Sequence, residues 1–149
     1  MENSSEAQKL FLQGYNCSQS VFAANASALG MDFETALKVS IGLGGGVGRL
    51  RQVCGAFSAC AMLAGMLKAD DSPDQKQKEV VYTFVQKLAE DFKKENGSII
   101  CAEILKLKEN QTQSPTPDAR TAEYYKNRPC LAVVGFADKM AKSFIEQKD

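Results

Sequence analysis

The chain has 149 residues, a formal net charge of zero from 18 basic and 18 acidic side chains, 44 % hydrophobic and 24 % charged residues, and no histidine. That length suits one domain over residues 1–149, able to bury roughly 68–70 % of the surface its unfolded chain exposes. The balanced charge argues against nucleic acid or an anionic membrane as partner, and the missing histidine removes any Ser-His or Cys-His mechanism within one chain.

The amino-terminal stretch MENSSEAQKLFLQGYNC lacks a basic segment followed by an apolar one, and no apolar run approaches the ~20 residues of a membrane span. The expectation is a cytoplasmic protein whose thiols stay reduced unless they cycle.

Taken in chain order, the pattern predicts an all-α, single-domain bundle of six or seven helices with no convincing strand. The first runs from Ser4 to Gln13 and ends at Gly14. The second opens with Asn16 as N-cap and Gln19 completing a capping box, and stops at Gly30. The third is capped by Asp32 and sets Leu37 and Ile41 on one face.

A glycine-rich turn follows, GLGGGVGRLR from Gly42 to Arg51. Two readings stand for it: a helix-to-helix turn with positive φ at several positions, or an anion nest built from Gly44, Gly45 and Gly46 with Arg49 and Arg51. It lacks the Gly-Lys-Ser/Thr ending of a phosphate loop and is not a G-x-G-x-x-G after a strand.

The fourth helix is predicted from Gln52 to Lys68, with an apolar stripe of Val53, Phe57, Cys60, Ala64 and Leu67. The fifth begins with Ser72 as cap and Pro73 in first position, buries Val81, Phe84, Val85, Leu88 and Phe92, and closes at Gly97. A shorter helix over residues 98–110 has Ser98 as cap. A polar, proline-containing loop over residues 111–121 is too short to divide the chain, and residues 118–126 suit a short helix. The last helix takes Asn127 as cap and Pro129 inside its first turn. Tyr15, Tyr124 and Tyr125 read as core or rim packing.

Laid on this scheme, four of the five cysteines share a position. Cys17 follows the cap Asn16, Cys54 follows the glycine turn, and Cys101 and Cys130 each lie three residues after a predicted cap. Only Cys60 sits mid-helix on the apolar stripe, where a buried structural role is the default. The first turn of a helix offers unpaired N–H groups and the positive end of the dipole, which stabilise a thiolate. Arg49 and Arg51 lie near Cys54 in sequence, and Arg128 near Cys130.

The stretches GYNCSQSVFAA, GLGGGVGRLRQVCGAFSA, SIICAEIL and RPCLAVV together resemble the C-GCAxxG-C-C family of redox-active proteins, from about Gly14 to Ala141. The resemblance implies that Cys17, Cys54, Cys101 and Cys130 are the family set. It makes Cys54, followed by Gly55 and Ala56, the motif cysteine, with Ala59 where a closing glycine is expected and Cys60 as an extra.

Three functions remain open on this reading. The first is thiol–disulfide exchange or electron transfer, with Cys54 as attacking thiol, Cys17 as its partner, and a redox protein, small-molecule oxidant or thiol as the other reactant. The second is a zinc or iron–sulfur site ligated by Cys17, Cys54, Cys101 and Cys130. The third is a helical interaction module with structural cysteines. The first needs two or more of these cysteines within bonding distance, and the expectation is that at least three of the four line one pocket, with the glycine turn at its rim and Cys60 outside it.

Overall fold

The structure is a computed structural model that describes residues 4–108 and 114–147. Among them are eight α-helices and no strand: α1 Glu6–Leu12, α2 Cys17–Ala26, α3 Phe33–Ser40, α4 Gly55–Lys68, α5 Gln75–Asn96, α6 Cys101–Ile104, α7 Ala122–Asn127 and α8 Cys130–Glu146. The all-α expectation holds, with six of these helices reaching seven residues or more. The end of the predicted 98–110 helix and the start of the 111–121 loop lie outside the described residues. No described helix is long and apolar enough to cross a membrane.

α2 is the centre of the bundle. Every residue from Ser18 to Ala26 is buried, which is why its sequence carries small residues on all sides rather than one apolar stripe. It packs on α1, α3, α4 and α8. α4 meets it at Gly55, which lies against Cys17 and Ser18, and its Ala56, Ala59 and Cys60 are also small and buried. Phe11, Phe22, Phe57, Leu63, Phe92 and Val134 fill the space around this pair.

A buried carboxylate ties three helices together. Asp138 of α8 accepts the Ala7 N–H of α1 at 3.1 Å and the Asn25 amide of α2 at 2.8 Å. Lys142, one turn further along α8, reaches both Asp138 at 3.1 Å and the Asn25 side chain at 2.9 Å. Asp138 is thereby satisfied by a cation and two donors, the condition under which a fully buried carboxylate is tolerated.

Several helix starts match the sequence. Ser5 with Gln8, and Asn16 with Gln19, form complete capping boxes, and Asp32 caps α3. Gly97 closes α5 in the left-handed conformation. Others differ for local reasons. Asp74, not Ser72, caps α5; the Ser72 hydroxyl instead accepts the Asp74 N–H at 3.1 Å, so Ser72 and Pro73 belong to the preceding turn. Asn127 ends α7 rather than capping α8, which starts at Cys130 behind Pro129.

The largest difference lies at α4 and α6. Residues 51–54 are not helical and pair with residues 99–102: Cys54 N–H donates to Ile99 O at 2.7 Å, Cys101 N–H to Gln52 O at 2.6 Å and Ala102 N–H to Arg51 O at 3.2 Å. Val53 and Ile100 form an isolated antiparallel bridge. α4 therefore begins at Gly55 instead of Gln52, and α6 is a single turn beginning at Cys101 instead of Ser98. Ser98 accepts the Ile100 N–H at 2.9 Å and stands outside the helix.

Candidate functional site

Cys17, Cys101 and Cys130 are the first residues of α2, α6 and α8, and Cys54 is the residue before α4. All four line one cavity of about 80 Å³, together with Gly45 of the glycine turn and Arg51. Cys60 does not; its thiol donates to Ala137 O at 3.4 Å inside the core. All five cysteines are free thiols.

Three features of the chain converge the sulfurs. The α2·α4 packing sets Cys17 against the entry to α4. The short pairing of 51–54 with 99–102 brings Cys101 beside that entry. α8 approaches α2 and α4, and its first residue, Cys130, completes the ring. Gly55 is required by this closeness: a Cβ there would stand 2.7 Å from Cys17 Sγ and 2.8 Å from Leu43 O. The glycine that follows the motif cysteine makes room for the other cysteine's sulfur.

The glycine turn is wound left-handed. Gly45, Gly46 and Gly48 have positive φ, and so do Val47, Arg49 and Arg51. For a β-branched residue such as Val47 that is a strained conformation. The turn is held by Gly48 N–H to Gly42 O and Gln52 N–H to Gly46 O, both 2.9 Å. Gly46 lies on the 51–52 backbone, where a Cβ would be 2.6 Å from Gln52 N, and Gly44 lies on the Asn16 side chain.

Gly45 is the member of the predicted nest that reaches the thiols. Its N–H, with those of Ser18 and Gly55, points at the Cys17 sulfur. The anion that this turn cradles is thus one of the protein's own side chains. Arg51 enters the cavity, with Nη1 donating to Cys101 Sγ at 3.6 Å. Arg49 turns away, bonding Ser114 O, Thr116 O and, at 3.2 Å, Asp118.

These contacts divide the thiols electrostatically. The Cys54 thiol, as donor to Cys17, does most to lower Cys17 to about 6; burial works against this, and the three backbone N–H groups support it. The same contact, with burial, raises Cys54 well above the ordinary thiol range. Burial raises Cys101 although Arg51 opposes it, and pushes Cys130 up to about 11. Burial raises Cys60 as well. These directions favour the thiolate on Cys17 and the protonated form on Cys54. That reverses the order expected from the sequence, which gave Cys54 the charge.

A family model described as "Putative redox-active protein (C_GCAxxG_C_C)" matches residues 15–144. The chain belongs to this family. The match spans all four cysteines of the cavity. No curated protein and no solved structure matches the chain.

Sequence reasoning missed two cavity residues that matter. Arg120, in the loop before α7, and Tyr124 both line it, and Arg128 joins them from the α7–α8 junction. Arg120 is fixed by bonds to Phe11 O at 2.7 Å and Tyr15 O at 2.9 Å, with its guanidinium 4.1 Å from the Phe11 ring centre. Its distance in sequence from any cysteine but Cys130 hid it. Among the described residues no group of three or more His, Cys, Asp or Glu side chains is arranged to hold a metal ion.

Proposed function

We propose that this protein is a thiol–disulfide redox protein in which Cys17 is the nucleophile and Cys54 the resolving thiol. The observation that carries the reading is their placement: both line one cavity, and Gly55, the residue after Cys54, lies so close to Cys17 that a Cβ there would stand 2.7 Å from its sulfur; their interaction lowers Cys17 and raises Cys54. A thiolate is the attacking form, and a thiol poised beside it can take over once the first bond has formed.

The exchange runs in two steps. The Cys17 thiolate attacks one sulfur of a substrate disulfide, and the second substrate sulfur leaves as a thiolate with the bonding electrons. Cys54 then gives up its proton to the departing group and attacks Cys17 Sγ. A Cys17–Cys54 disulfide forms, and the remaining substrate sulfur leaves as a thiolate. The substrate is reduced by two electrons and the cysteine pair oxidised by two. An external dithiol returns the pair to its starting state. Cys101 and Cys130, on the same cavity with raised pKa values, suit a second pair that stays protonated until the first is oxidised.

Trapping tests this. In Cys54→Ala, reaction with bis(2-hydroxyethyl) disulfide stops at a mixed disulfide on Cys17, seen by peptide mass spectrometry. A mixed disulfide on another cysteine, or none, contradicts the assignment.

A further inference from the structure

The thiol cavity adjoins a second, larger space of about 520 Å³, and the two share Asn16, Gly45, Arg51, Arg120, Tyr124 and Arg128. Among the described residues lining this vestibule are four guanidiniums, of Arg49, Arg51, Arg120 and Arg128, and one carboxylate, Asp118. Asp118 is engaged by two of them, Arg49 at 3.2 Å and Arg128. The approach to Cys17 therefore carries a clear excess of positive charge, in walls that are partly apolar and focus it. The inner cavity differs: its remaining walls are Phe11, Ile104, Leu105 and Val133.

An inner chamber walled by sulfur and apolar side chains, behind guanidiniums that line both spaces, fits a molecule with sulfur at its centre and negative charge at its ends. Guanidiniums bind carboxylates through paired N–H donors in a planar fork. Arg120 is held rigidly by the Phe11 and Tyr15 carbonyls, the Tyr125 hydroxyl and the Phe11 ring, leaving its Nε and one Nη2 hydrogen as the pair for a carboxylate.

Given Cys17 and Cys54 as the reacting pair, the reading on which this rests, we propose that the substrate is a small disulfide bearing carboxylates, drawn in through the arginine vestibule and held by Arg120 and Arg128 while its sulfur meets Cys17. The chemistry is the two-step exchange above. The carboxylates stay unreacted, and both substrate sulfurs leave as thiols or thiolates.

A charge series tests this on the full chain. Dithiodiglycolate, bis(2-hydroxyethyl) disulfide and cystamine are small disulfides with negative, zero and positive charge. Rates of Cys17–Cys54 oxidation are measured for each and divided by the rates with free cysteine. The normalised preference for dithiodiglycolate over cystamine is expected to be at least about tenfold at low salt and to shrink in high salt. Arg128→Gln lowers it further. A preference equal to that of free cysteine, or unmoved by salt, overturns the proposal.

Glutarate, a dicarboxylate that cannot react, provides an independent readout. It raises Tm of the unmodified protein, and less so of Arg128→Gln, if the carboxylate site exists. A glutarate shift with no reaction toward any of the three disulfides leaves the carboxylate site standing and removes the thiol-exchange reading instead. No shift and no charge preference together remove the site.

Discussion

Cys54, before α4, lies against Cys17, the first residue of α2: a Cβ on the next residue, Gly55, would stand 2.7 Å from Cys17 Sγ, and the interaction of the two thiols lowers Cys17 and raises Cys54. Gly45, Ser18 and Gly55 add backbone N–H groups to the same sulfur. Most of the predictions below follow from that arrangement.

Alkylation of Cys17 by iodoacetamide should titrate with a midpoint near 6, well below the ~8.5 of a free thiol. Cys54→Ala removes the largest cause of the lowering and moves the midpoint upward by a unit or more, about 1.4 kcal/mol or above in thiolate stabilisation. Site-resolved mass spectrometry of alkylated peptides over a pH series reads both. A Cys17 midpoint in the ordinary thiol range would remove the proposed nucleophile.

Stability should depend on pH through the same group. Cys17 ionises more readily folded than unfolded, so between about 6 and its ordinary value of 9.0 the unfolded chain binds more protons there. Unfolding free energy therefore rises with pH across that window, and the contribution is lost as pH falls through about 6. Above the window the raised Cys54 acts in the opposite direction, because the folded state resists an ionisation that the unfolded chain permits. Urea denaturation of the reduced protein measures the slope, and Cys17→Ser should flatten it.

Gly55→Ala puts a methyl where Cys17 Sγ and Leu43 O already stand, 2.7 and 2.8 Å from the new carbon. Neither neighbour is a flexible side-chain end: one sulfur is confined at a helix start and the other atom is backbone. The expected cost is about 1–3 kcal/mol of stability, with a rise in the Cys17 midpoint as the Gly55 N–H is displaced. Denaturation and alkylation on one sample check both effects together.

Cys60→Ala is the control. Its side chain is fully buried and bonded to Ala137 O, away from the cavity. A loss of about 1–2 kcal/mol from the small void is expected, with the Cys17 alkylation profile unchanged. An altered profile would mean that Cys60 takes part in the thiol chemistry.

Much of the helical scaffold was legible because its signals are local. Asn16 with Gln19, Asp32 and Gly97 sit at element ends where a single side chain or a single positive φ decides the boundary. The recurrence of cysteine near predicted helix starts was legible for the same reason. The pairing of 51–54 with 99–102 was not, since so short a stretch on each side carries no alternation to detect, yet it is what sets Cys101 beside Cys54. Nor could sequence assign the charge. Which of Cys17 and Cys54 ionises depends on where the N–H groups of Gly45 and Gly55 point, a matter of tertiary placement. Arg49 and Arg51 looked alike in the chain; the wound turn sends one to Asp118 and the other to Cys101. Arg120 gave no sign at all, because a loop arginine becomes a cavity wall only through carbonyls more than a hundred residues away.

The most direct measurement is a map of the bond that forms when the reduced protein meets a small disulfide in slight excess. Non-reduced peptide mass spectrometry should find Cys17 joined to Cys54 as the first intramolecular link, with Cys60 still free. Five thiols left reduced, or a first link that omits Cys17, would contradict the account.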